Sequence, residues 1–159
     1  MSILIRSAAM SDAIQMSDLL NQIIKKGGTT AHRDYFDQER MSEHYISPPL
    51  GISCVVALSG ADILGFQQLE WPAPNSNKKN PLPEDWASIA TFVAEKAQGK
   101  GVGHRLFRQT YASAKACHAV AIDATIRKEN HGGLTFYDSL GFCTYRTDDV
   151  AVSKKILVE

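Results

Sequence analysis

The segment that most restricts this chain is Gln98-Gly99-Lys100-Gly101-Val102-Gly103, set between an apolar stretch, Trp86–Val93, and a helical pattern over residues 101–115. Glycines at alternate positions that open a helix leave backbone N–H groups unpaired, and the positive end of the helix dipole favours an anion in front of them. Without a Cβ, glycine lets the main chain approach a phosphate closely. Alone, the same glycines also describe a plain flexible turn. A Walker loop would need Gly-Lys-Ser/Thr after four intervening residues, and a dinucleotide fingerprint would need glycine near His104 or Arg105, so neither nucleotide class fits.

With 159 residues the chain is long enough for one sizeable core and short for two, so residues 1–159 read as a single domain. Seventeen basic residues balance 17 acidic ones, which removes the electrostatic footprint of a nucleic-acid binder. The longest apolar runs fall short of the roughly 20 residues of a membrane span, so no membrane partner and a cytoplasmic location are expected. The three cysteines, at positions 54, 117 and 143, have neither metal-ligand spacing nor a disulfide framework. They read as reduced, Cys54 and Cys117 as small core residues, and no metal is expected.

Periodicity orders the elements. Residues 3–5 form a short strand, and Ser11 reads as the N-cap of a helix with Met16, Leu19, Leu20, Ile23 and Ile24 on one face, stopped at Gly27-Gly28. A less regular helix follows over residues 34–45. Strand-like runs at 54–58 and 63–71 flank Ser59-Gly60-Ala61-Asp62, the composition of a hairpin turn. Residues 72–85, with four prolines and three asparagines, read as an irregular loop. After the glycine segment come a helix, a strand over 119–126, a helix over 130–140 closed by Gly141, and an antiparallel pair at 143–146 and 150–157. The order strand, helix, strand implies one parallel pair.

Gln98-x-x-Gly101-x-Gly103 opening a helix, then Asn130 followed seven residues later by Tyr137 and soon by Gly141-Phe142, resembles the coenzyme-binding half of the GCN5-related N-acetyltransferase (GNAT) superfamily over residues 88–142. Asn21-x-Ile23-Ile24 followed by Thr29-Thr30 is further similar to its phosphinothricin acetyltransferase branch. The resemblance implies an α/β (α+β) fold: a mixed, mostly antiparallel sheet of six to seven strands, a central splayed parallel pair and about four flanking helices.

It also implies a chemistry. Acetyl-CoA, as co-substrate and without a metal, would lie where Trp86–Val93 and the 119–126 strand splay, with Phe92 and Val93 nearest the acetyl group. A strand amide there would hold the thioester carbonyl. Gln98, Gly99, Gly101, Val102, Gly103 and His104 would surround the pyrophosphate, and Lys100 would add charge. Asn130 would bond the pantetheine arm or its phosphate end, serve as a helix N-cap, or do both. Tyr137 matches the tyrosine that protonates the departing thiolate; the alternative is packing beside Phe136 and Leu140.

The chain departs from the branch at Ser88, which stands where a strand glutamate is expected. Glu70 is the replacement base to consider, with Asp85, Glu84 and His32 behind it. The implied activity is acetyl transfer to a primary amine of a small, amino-acid-like molecule by direct attack, in a chain that would form a homodimer as its relatives often do. A protein or peptide amine as acceptor, a coenzyme A sensor without turnover, and a phosphate-binding domain of another fold are the alternatives.

Overall fold

A computed structural model describes residues 2–74 and 78–159. Seven strands, β1 (Leu4–Ser7), β2 (Gly51–Ser59), β3 (Asp62–Glu70), β4 (Trp86–Val93), β5 (Ala121–Arg127), β6 (Cys143–Thr147) and β7 (Ala151–Leu157), form one sheet in the order β1-β2-β3-β4-β5-β7-β6. Every neighbouring pair is antiparallel except β4 and β5, so the expected sheet type and strand count hold. Four helices flank it: α1 (Ala13–Lys26), α2 (Gln38–Met41), α3 (Val102–Ala116) and α4 (His131–Ser139).

Alternation along the strands sorts side chains onto two faces. On one, Val56, Leu58 and Phe66 pack under Met16, Leu20 and Met41 of α1 and α2. On the other, Ala87, Ile89, Ile122 and Ala124 pack against Phe107 and Ala114 of α3 and Tyr137 of α4. The odd residues of β4 therefore face α3 and α4, while Ser88, Ala90 and Phe92 face the α1 and α2 side.

Ser11 is not the cap of α1. It lies inside a single 3-10 turn, Met10–Asp12, and Asp12 organises the start of the helix: its carboxylate accepts the Ala9 N–H at 2.7 Å and a two-pronged contact from Arg6 at 2.7 and 2.9 Å. A charge-assisted, bidentate arginine contact outweighs a neutral hydroxyl cap. The helix expected over residues 34–45 is short, because after α2 the chain continues as a π turn, Ser42–Ile46, closed by Ser47 N–H donating to Ser42 C=O at 2.8 Å. Asn75, Ser76 and Asn77 of the expected 72–85 loop lie outside the described residues; on either side that connection has no regular structure.

Candidate active site

The β4–β5 ladder has three register pairs, Trp86 with Ala121, Ala87 with Ile122 and Ser88 with Asp123, and then stops. Beyond Ser88 and Asp123 a gap opens between the central strands. Which main-chain groups face it follows from the antiparallel partner. Ala94 N–H donates to Leu64 C=O at 2.8 Å, so by the alternation of such a ladder Phe92, Ala90 and Ser88 also point their main-chain groups toward β3. Thr91 and Val93 then turn theirs into the gap. Val93 C=O accordingly accepts from the Gln98 side chain at 3.4 Å. Of the two strand residues expected near the acetyl group, Val93 turns its main chain into the gap and Phe92 presents its ring to the α1 and α2 face; the second open amide belongs to Thr91, which has no marker in the sequence.

A cleft of about 1460 Å³ continues from this gap over the glycine segment and between α1, α3 and α4. Gly99 and Gly101 have φ of +74° and +79°, conformations that non-glycine residues adopt at a cost, and nothing lies within 4 Å of where their Cβ atoms would stand. Gly101 is the N-cap of α3 and has no side chain to close it, so the first-turn amides, at Val102, Gly103 and His104, remain open to an anion. Gly103 is needed for a different reason. A Cβ on it would stand 2.6 Å from Cε1 of Phe136, so its smallness lets α3 and α4 pack closely at the cleft wall. Lys100 is exposed beside the loop, and His104 Nε2 lies 2.9 Å from the Ser139 hydroxyl.

Asn130 caps α4, its Oδ1 accepting the Gly133 N–H at 2.9 Å, while its Nδ2 donates to Thr29 C=O at 3.2 Å. One side chain thereby ties the α4 wall of the cleft to the loop after α1. Tyr137 is buried with its ring edge-on to Phe136 and Phe142, and its hydroxyl lies 2.8 Å from Thr91 Oγ1, which also accepts from Gln67 Nε2 at 3.0 Å. Packing and hydroxyl placement thus coexist. Burial pushes the phenol well above its ordinary value, so it stays protonated and able to donate.

On the opposite face, Glu70 is the register partner of Ser88 and accepts from Gln68 Nε2 at 3.2 Å. Further along that face, His32, Phe36, His44, Tyr45, Phe66 and Phe92 form an aromatic cluster, with His32 Nε2 and the Tyr45 hydroxyl 2.6 Å apart and Tyr45 and Phe92 centroids 5.5 Å apart. Burial and the neighbouring His44 and Arg40 hold His32 below the ordinary imidazole range. Glu84 and Asp85 are exposed, and Asp85 uses its carbonyl to accept the Val120 N–H. Among the described residues no group of three or more His, Cys, Asp or Glu side chains is arranged to hold a metal, and no helix is long and apolar enough to cross a membrane.

An uncapped helix start joined to a splayed parallel pair is the arrangement to compare with known proteins. Residues 16–142 match the family model of the acetyltransferase (GNAT) family. The chain belongs to the GNAT family. Searching curated proteins with this GNAT sequence finds no match. Among solved structures it is similar to a GCN5-related N-acetyltransferase from Kribbella flavida, with a TM-score of 0.80, 21% identity and coverage of 98% of this chain and 97% of that one. A GNAT superfamily phosphinothricin acetyltransferase from Sinorhizobium meliloti, in complex with acetyl-CoA, gives 0.78 at 15% identity, covering 99% and 89%. A ribosomal-protein-alanine N-acetyltransferase from Brucella melitensis gives 0.76 at 16% identity, covering 97% and 99%. At these identities the likeness concerns the GNAT fold.

Proposed function

We propose that this chain transfers an acetyl group from acetyl-CoA to the primary amine of a small molecule. The observation that carries the reading is the continuity of one cleft from the open amides at the start of α3 to those of Thr91 and Val93, with the Tyr137 hydroxyl beside Thr91. The residues suit the co-substrate: backbone donors for a diphosphate at one end, a strand edge for an amide-containing arm, and a buried hydroxyl where the sulfur would sit. Acetyl-CoA supplies an acyl group activated as a thioester.

The chain's own groups do the rest. Main-chain donors of residues 99–104 hold the diphosphate, with Lys100 adding charge. The Thr91 and Val93 amides align the arm and stabilise charge that develops on the carbonyl oxygen, a role preorganised donors fill well. Tyr137 gives its proton to the departing sulfur, a step of the kind that contributes roughly 10²- to 10⁴-fold.

The acceptor enters from the α1 and α2 face, where the His32, Tyr45 and Phe92 cluster bounds one side and Trp86 and Tyr145 the other. Aromatic side chains on two sides of that face favour a small amine. A peptide amine is the second reading, because the fold is also similar to that of a ribosomal-protein-alanine N-acetyltransferase.

The test is calorimetric binding of acetyl-CoA against ATP, followed by thiol release across amino acids, amino-acid analogues, polyamines, aminoglycosides and N-terminal peptides. Selective coenzyme binding with turnover of a small amine is expected. Turnover of peptides alone would transfer the assignment to the second reading, and binding without turnover of any amine would make the chain a sensor.

A further inference from the structure

The face from which an amine approaches carries a buried carboxylate at the closed end of the gap. Asp123 is the β5 member of the last β4–β5 pair, next to Ser88, and its neighbours Ile122 and Ala124 point the other way into the α3 and α4 core. It is 3% exposed. The Tyr145 hydroxyl donates to Oδ1 at 2.5 Å and the Thr125 hydroxyl to Oδ2 at 3.1 Å. A carboxylate accepts about four hydrogen bonds, so each oxygen keeps capacity for one more donor.

Glu70 is the β3 register partner of Ser88, so two carboxylate residues flank the serine in register. They differ in setting. Glu70 ends a strand that pairs fully with β4, whereas Asp123 sits where pairing ceases, so its strand borders the open gap. The charged and titratable groups around Asp123 come from every neighbouring element: Tyr145 and Arg146 of β6, Lys155 of β7 as its register partner, Lys78 of the β3–β4 connection, Tyr137 of α4, and Glu70 beyond Ser88. Lys155 Nζ is drawn over the rings of Trp86 and Tyr145, at 5.1 and 5.6 Å from their centroids.

We infer that Asp123, held by Tyr145 and Thr125, is the catalytic base that takes a proton from the acceptor ammonium, in place of a carboxylate on β4. This assignment rests on the acetyl-transfer reading. One N–H bond of the ammonium breaks and its proton passes to the Asp123 carboxylate, leaving a neutral amine. The nitrogen lone pair forms the C–N bond as the C–S bond breaks. The sulfur takes a proton from Tyr137, which the second proton lost from nitrogen replaces, and Asp123 sheds the first to solvent. Burial raises the Asp123 carboxyl above its ordinary range, against the opposing pull of Tyr145, Thr125, Arg146 and Lys78, which brings its proton affinity closer to that of an amine.

The experiment measures kcat/KM against pH for wild type, Asp123→Asn, Tyr145→Phe and Glu70→Gln, with the best aliphatic amine of the panel and with hydroxylamine, whose nitrogen is unprotonated at neutral pH. Asp123→Asn should lose at least about 100-fold with the aliphatic amine, together with the acid limb of its pH profile. With hydroxylamine it should lose under about tenfold, since no proton has to be removed before attack, and its acetyl-CoA Kd should match wild type. Tyr145→Phe removes a bond that holds Asp123 down, so the acid limb should move to higher pH. An Asp123→Asn enzyme with the wild-type rate and profile overturns the assignment, as does loss of the acid limb in Glu70→Gln alone, equal losses with both nucleophiles, or an unmoved limb in Tyr145→Phe. Absence of wild-type turnover with every amine overturns the acetyl-transfer reading itself, and the base with it.

Discussion

Replacing Gly65 with alanine tests whether the floor of the gap is set by backbone contact between β3 and β4. Gly65 is buried opposite Val93, and a Cβ there would stand 2.8 Å from the Phe92 carbonyl oxygen and 3.3 Å from Val93 Cα and Cγ2. Ordinary contact begins at 3.4 Å, so the strands must part by about 0.6 Å, the difference of 3.4 and 2.8. The nearest obstacle is main chain, which cannot swing aside as a side chain would. Overpacking of this kind costs about 1–3 kcal/mol, and in a chain of this size each kcal/mol lowers Tm by about 2–4 °C. Scanning calorimetry should therefore record a Tm about 2–12 °C below wild type. Because the push falls on Phe92 and Val93, the amides of Thr91 and Val93 move as well, and a misplacement approaching 1 Å can cost up to 100-fold in rate. The reasoning fails if Gly65→Ala keeps both the wild-type Tm and the wild-type kcat.

Tyr137→Phe removes one buried hydroxyl and leaves Thr91 its Gln67 donor, so stability should fall by only about 0.5–1.5 kcal/mol while kcat falls by about 100-fold or more and the acetyl-CoA Kd holds; a rate within threefold of wild type would leave Tyr137 a packing residue. Among the thiols, burial pushes Cys54 up to about 12 while Cys143 is exposed, so mass spectrometry after iodoacetamide at mildly alkaline pH should find Cys143 labelled and Cys54 untouched in the folded protein. Asp12 is held below the ordinary carboxylate range chiefly by its bond to Arg6, so the stability it contributes is complete above the unfolded value, about pH 4, and is lost as pH falls through the lower folded value. Asp12→Asn should accordingly cost about 1 kcal/mol at neutral pH, discounted for the part-exposed Arg6, and nothing in strong acid; urea titrations at the two pH values check the sign.

Much of the fold was legible because its signals are local. The face of α1 from Met16 to Ile24, the turn around Gly60 and the run from Gln98 to Gly103 each declare themselves within a few residues. Ser11 misled because the competing group, Asp12, owes its advantage to Arg6 on a strand. The insertion of β7 between β5 and β6 has no local marker, since strand order depends on contacts far apart in sequence. Thr91 and Asp123 escaped for the same reason. In sequence one reads as a small polar residue in a strand and the other as a lone acid in an apolar run; only the register, and the place where β4–β5 pairing ends, gives them neighbours.

The Asn130 amide grasps Thr29 across a sequence separation of 101 residues. A growing polypeptide therefore cannot finish this wall until Asn130 has been synthesised, and earlier intermediates present the diphosphate carrier with only fragments of a cradle. Added carrier should then protect the completed molecule from proteases while doing nothing for a nascent or truncated one, as mass action requires of any compound that binds only the native state.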